Sequence, residues 1–283
     1  MVSFRPMPQT PKSRTVPKKT PPCLTRETLP FITRASRQKR ADWLERNRED
    51  YLRHVVEPLQ AIARFMKSEL GKDAAGYHFP QRGIGRLKRS SLSAVRYGTP
   101  LRDYISYSAR RPSASRFDHN PSIFLLVYPA DEEGDEVLLA GGLYMPSSRQ
   151  LKSIRQAIAT NHCPFEQLFR SSAFASSFRE GFSDERKSTR VPRGFDANHP
   201  RIEWLKHQGY FVWRSYRKSE YTSARFGARL VKDARQILRL NALLDQAIEG
   251  RWVVEAKKPS RAKPALTELL GEIGITPRRE MDF

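Results

Sequence analysis

Two extended segments joined by one acidic turn constrain this chain more than anything else in it. Residues 122–128 (SIFLLVY) and 136–145 (EVLLAGGLYM) are its clearest strands, and residues 131–135 between them read as an acidic hairpin turn. The chain therefore builds an antiparallel sheet. Gly141 and Gly142, inside the second strand, mark a bulge or the close approach of another backbone. Residues 104–109 alternate like a strand with one solvated face. Residues 210–213 (YFVW) read as a buried strand.

Helical spacing fills the rest. Residues 25–37 predict a first helix, with Thr25 or Thr28 near its start. From about Ala41, Leu44, Tyr51, Leu52, Val55, Leu59, Ile62 and Met66 recur at three and four, and Gly71 ends the stretch. Pro58 within it predicts a kink or two helices meeting. Pro146 and Ser147 open a helix whose Leu151, Ile154 and Ile158 face inward, and more helix is expected around residues 164–178. Residues 223–248 predict a long amphipathic helix with Leu230, Val231, Ala234, Ile237, Leu238, Leu244 and Ile248 on one side. In residues 190–216, Gly194 permits a tight bend, Asp196 or Asn198 can cap a helix over 201–207 that Pro200 starts, and Gly209 lets the chain leave it. The expected fold class is α+β: a central, mostly antiparallel sheet packed with helices, plus basic N- and C-terminal extensions. The expected division is a basic proline-rich tail over 1–23, the domain over 24–252, and a basic linker with a short helix (265–273) over 253–283.

Charge narrows the partners. The 283 residues hold 51 Lys+Arg against 30 Asp+Glu, a net +21. A charge that large disfavours a compact chain unless an anionic partner offsets it, and nucleic acid is the commonest such partner. Residues 1–22 carry five cations, six prolines and no acid, which reads as an extended tail rather than an amphipathic transit helix. Between Phe79 and Phe117 lie Arg82, Arg86, Lys88, Arg89, Arg96, Arg102, Arg110, Arg111 and Arg116 with one acid, Asp103. Tyr97, Tyr104 and Tyr107 are interleaved there, placed to stack unpaired bases or to pack into the sheet. On the long helix, Arg225, Arg229, Lys232, Arg235 and Arg239 fall within roughly a third of the circumference opposite the apolar side, at about 100° per residue. They form either a solvated face or a phosphate-tracking ridge. Cys23 and Cys163 read as free thiols of a reducing compartment, cytoplasmic or mitochondrial, and no apolar run approaches the roughly 18 residues of a membrane span.

No catalytic constellation is legible. The six histidines show no metal-ligand spacing, so neither a metal nor another cofactor is expected. His162–Cys163 reads as an ordinary loop pair, and there is no G-x-S-x-G elbow. Gly83-Ile-Gly85-Arg86 reads as a plain turn rather than a phosphate loop. Asp118 and Asp196 read as caps or loop ties.

Several blocks nevertheless match one family. WLERNREDY (43–51) followed by EPL (57–59), GGLYMP (141–146) with Gln150-Leu and IRQAI (154–158), and RVPRGFD (190–196) with His199-Pro200 and EWL (203–205) resemble the mainly bacterial domain of unknown function 2461. The likeness runs from about Leu24 to Trp252 and implies an α+β domain without an assigned activity. The family's polar cluster would correspond here to Arg86, Arg89, Arg190, Arg193 and Asp196. The signature block departs from the pattern: Leu87 stands where the resemblance implies an acid and Ser90 where it implies an aromatic, while the lysine and tyrosine positions fall near Gly98 and Leu101. Losing an acid among arginines leaves cations without a counter-charge, which suits a binding surface better than a catalytic pocket.

These readings lead to a non-enzymatic basic protein that contacts the backbone of structured RNA, as in a ribonucleoprotein particle such as a mitochondrial ribosome. Neighbouring proteins of the particle are further possible partners. The alternative is an enzyme on an anionic substrate, with Arg86, Arg89, Arg190 and Arg193 converging on one concavity. A third option, a protein-interaction adaptor, requires a large exposed apolar patch.

Overall fold

The computed structural model describes residues 21–112, 118–131, 134–160 and 163–251. Residues 1–20 of the expected basic tail, the 257–264 linker, the 265–273 helix, Arg116 and His162 lie outside the described residues; the last residues of that tail join the domain instead, the Pro22 carbonyl accepting the Gly227 amide at 2.9 Å.

Four strands form one antiparallel sheet in the order β1-β2-β3-β4: β1 (Ile105–Arg110), β2 (Ser122–Asp131), β3 (Gly134–Leu143) and β4 (Tyr210–Tyr216). The hairpin read from sequence is the centre of the sheet, with Ile123 opposite Gly141 and Leu125 opposite Leu139. This register puts Tyr107, Leu125, Leu139, Val212 and Tyr216 on one face, all buried. The period of two then sends Phe124, Leu126, Leu138, Ala140 and Trp213 to the other face.

Helices cover the first face: of the longer ones, α1 (Thr28–Ser36), α2 (Glu57–Leu70), α4 (Ser148–Ala159), α5 (Pro164–Arg170) and α6 (Phe226–Ile248) belong to that layer, while α3 (Ser91–Tyr97) stands apart from it. Of these, α6 packs on β2 and β3, α1 on β2, and α2, α4 and α5 flank α6. Gly141 is the contact that seats α6: a Cβ there would overlap the Ile237 side chain. Gly142 has φ +119 and faces the Tyr210 carbonyl too closely for any side chain. The close approach, rather than a bulge alone, explains the glycine pair.

Pro58 behaves differently from a simple kink. Helical turns at Trp43–Arg46 and Arg48–Tyr51 lead into a π turn, Leu52–Val56, and α2 starts at Glu57 with the proline in its first turn. The His54 carbonyl, four residues back and denied the amide that proline lacks, accepts the Thr28 hydroxyl at 2.6 Å. The helix expected over 201–207 is shorter, Ile202–Leu205, and neither Asp196 nor Asn198 caps it. Asp196 accepts the Asn198 amide at 2.9 Å, whereas the Arg201 amide reaches the His199 Nδ1 at 3.0 Å. The α4 start lies where Pro146 and Ser147 place it, and a capping box between Ser147 and Gln150 fixes it.

Candidate functional site

The basic segment of the sequence lies beside β1, an edge strand. The Lys88–Leu101 bridge closes a loop around α3, held by Arg89 N–H to the Pro100 carbonyl (2.9 Å) and Arg102 N–H to the Leu87 carbonyl (2.8 Å). The Tyr51 hydroxyl donates to the Gly85 carbonyl at 2.8 Å, which pins the 83–85 turn against the core. Leu87, where the resemblance implies an acid, is fully buried, so its neighbours Arg86 and Lys88 are turned out to solvent. Ser90, where an aromatic is implied, caps α3 by accepting the Ser93 amide at 3.3 Å. Gly98, at φ +66, ends it.

Helix α3 buries nothing. Leu92 is 87% and Val95 84% exposed, and Tyr97 stands beside them in solvent. Arg82, Arg86, Lys88 and Arg96 are exposed, Arg102 is half-buried, and none of the five has a carboxylate partner among the described residues. Arg110 on β1 is in the same condition. Arg89 is different: its Nη2 donates to Asp103 at 3.0 Å, its Nε to the Leu101 carbonyl at 3.2 Å, and its guanidinium lies 4.5 Å over the Tyr97 ring. Arg111 pairs with Asp245, whose carboxyl burial pushes up to about 6 despite that contact. Of the interleaved tyrosines, Tyr107 is buried in the core, Tyr104 stacks on Tyr128, and Tyr97 alone of the three lies on the basic surface.

The α6 ridge is partly neutralised from within. Arg229 donates to the fully buried Asp233 at 3.1 Å, Arg235 to Asp73 at 2.9 Å, and Arg239 to the Gln236 side chain at 2.9 Å. Arg225 and Lys232 are exposed without a carboxylate partner among the described residues. Asp233 also accepts the Ser177 hydroxyl at 2.5 Å and the Tyr216 hydroxyl at 2.9 Å, and Arg214 lies 3.6 Å away. It is a structural hub that sequence reading passed over. The signal was its place three residues after Leu230 and four before Ile237, on the apolar side.

The other family block lies elsewhere. Residues 183–207 attach to β4, through the Ser183 amide on the Phe211 carbonyl (2.9 Å), while the 78–102 segment attaches to β1 through the His78–Arg110 bridge. The strand order therefore places Arg86 and Arg89 at one edge of the sheet and Arg190 and Arg193 at the opposite edge. Arg190, Arg193 and Asp196 are exposed around Gly194, which has φ +84. The arginine that ties this loop down is Arg201, bonded to Glu166 at 2.7 Å and to the Thr160 carbonyl at 2.7 Å.

The second face of the sheet holds a hollow of about 940 Å³, floored by Phe124, Leu126, Leu138, Ala140 and Phe211 and edged by the 180–185 segment. None of the four family arginines lines it. Among the described residues no three histidine, cysteine, aspartate or glutamate side chains are grouped to hold a metal ion. Cys23 and Cys163 are free thiols, and burial pushes the Cys163 thiol up. No described helix is long and apolar enough to cross a membrane.

The family described as Conserved hypothetical protein (DUF2461) matches residues 27–242. The chain belongs to that family. No curated protein and no solved structure matches the chain. Within this DUF2461 domain, Leu87 is buried and Ser90 caps α3.

Proposed function

We propose that this DUF2461 protein binds RNA through phosphate-backbone contacts and performs no catalysis, as a component of a ribonucleoprotein particle such as a mitochondrial ribosome. One observation carries the reading: Arg82, Arg86, Lys88, Arg96 and Arg102, on a short helix and in the chain segments on either side of it, have no carboxylate partner among the described residues. Exposed cations left without internal counter-charges release counterions when they meet phosphates, and that release drives association. Tyr97, oriented by Arg89 beneath it, offers a ring face for an unpaired base beside those cations. Arg225 at the N-cap of α6 and Lys232 within it are also exposed without a carboxylate partner among the described residues, and the sequence holds five more cations within residues 1–20.

Sucrose-gradient sedimentation of a native extract tests the assignment. The protein is expected to travel with large particles and to move to the top of the gradient after nuclease treatment. Sedimentation as a free monomer before nuclease would reject the particle assignment.

A further inference from the structure

The second face of the sheet has no helical cover among the described residues. β2 and β3 are apolar on both sides, the pattern of strands buried on both faces. Yet Phe124, Leu126, Leu138 and Ala140 stay half-buried there, and Tyr128, Tyr144 and Trp213 are more than a third exposed. Two carboxylates at the rim are already engaged: Glu185 accepts the Tyr144 hydroxyl at 2.6 Å, and the Lys187 ammonium lies 3.1 Å from Asp184. What the hollow of about 940 Å³ offers an occupant is therefore apolar surface.

One end of the hollow leads to the place where the chain leaves the domain. A smaller hollow of about 580 Å³ shares Phe124, Gly142 and Tyr144 with it and is also lined by Arg111. Arg111 pairs with Asp245 near the C-terminal end of α6, and Asn241 of α6 donates to the Ser122 carbonyl at the start of β2. The last described residue, Arg251, follows Asp245 by six positions. Residues 252–264 reach up to roughly 40 Å when extended, at about 3.3 Å each. The other chain end fits less well. Residues 1–20 hold four prolines, and they join at the opposite end of α6, where the Pro22 carbonyl accepts the Gly227 amide.

Beyond the 252–264 tether, Leu266, Leu269, Leu270 and Ile273 stand at i, i+3, i+4 and i+7. At about 100° per residue they fill one stripe of a helix, with Thr267, Glu268, Gly271 and Glu272 around the rest of it. A helix over 265–273 is about 13 Å long, and the floor from Phe124 to Tyr128 is about the same length.

We propose that residues 265–273 lie as a helix on the second face, with that apolar stripe on Phe124, Leu126, Leu138 and Ala140. The occupant of the hollow is the chain's own C-terminal segment. So short a helix does not hold its shape alone in water, so it forms as it docks, and the tether keeps its local concentration near the millimolar range. The sheet then carries helices on both faces, the second a looser cover than α6.

Disulfide trapping in the full-length chain tests this, with the bridges mapped by mass spectrometry. Ala140→Cys on the floor is paired with Leu269→Cys, inside the stripe, or with Glu268→Cys, outside it. The tether differs by one residue between the two, so only a docked helix separates them. The Leu269→Cys pair is expected to close roughly fivefold faster. Hydrogen exchange of the wild type reports independently of any cysteine. The 267–273 amides are expected to exchange roughly tenfold slower than in the isolated peptide, and a Leu269→Ser/Leu270→Ser variant to lose that protection while α6 keeps its own. Equal closure at the two positions, bridges that join two chains, or 267–273 amides as fast as the peptide's would each overturn the assignment.

Discussion

The two faces of the sheet are made by the same four strands and differ in everything packed on them. On the first face α6 sits so close to β3 that Gly141 has no room for a methyl group, and a carboxylate, Asp233, is buried there only because Arg229, Tyr216 and Ser177 satisfy it. On the second face, among the described residues, the side chains from the alternate positions meet loop segments at 118–120 and 180–185 and no helix of the longer set. The lesson is that alternation alone does not assign a strand's faces: both faces of β2 and β3 are apolar, and the glycine, not the hydropathy, marks the side on which a helix docks.

Substitutions on the two faces should separate sharply. Asp233→Ala strips the counter-charge from Arg229 and Arg214 inside the closed face, and chemical denaturation is expected to show a loss of about 3–5 kcal/mol. A loss under 1 kcal/mol would mean the hub is solvated. Next in size, Gly141→Ala is expected to cost about 1–3 kcal/mol by displacing Ile237, while Ala140→Val, one residue away on the open face, should stay within about 0.5 kcal/mol. Equal effects would erase the distinction between the faces.

A smaller loss than that of Asp233→Ala concerns the Arg111–Asp245 pair, and its sign is specific. Burial raises the Asp245 carboxyl to about 6, above the roughly 3.9 of an unfolded aspartate, so the folded state binds its proton more tightly. Its contribution to stability is fully present below about pH 4 and is lost as pH rises to about 6, on the order of 1 kcal/mol after solvent screening. Thermal unfolding of the wild type and Asp245→Asn from pH 4 to 8 is expected to show the wild type losing ground over that window and running parallel above it. Ground gained with rising pH would mean the Arg111 charge, not burial, dominates.

Much of the architecture was legible in the chain because it obeys local rules. The hairpin, the helix start at Ser147, the period of α6 and the bend at Gly194 follow from side-chain spacing and glycine freedom. What was not legible depends on tertiary partners. Pro58 is absorbed by a π turn and by Thr28, from a helix 26 residues earlier. Arg89, Arg111, Arg229 and Arg235 find carboxylates that lie between 4 and 162 residues away, so composition could not tell a paired cation from a free one. The hollow was missed for the same reason: its floor comes from β2 and β3, but its acids come from residues 180–185, and only the fold brings the two together.

The central claim is that cations without internal counter-charges at the β1 edge meet a polyphosphate chain. Filter binding of a structured RNA across a salt series, with the wild type and an R82A/R86A/K88A/R96A variant, tests it most directly. The account expects the logarithm of affinity to fall steeply with the logarithm of salt, and the variant to lose about 0.7–0.9 of slope for each phosphate contact removed. Affinity indifferent to salt, no binding below about 10 µM at moderate salt, or a slope unchanged in the variant would contradict it.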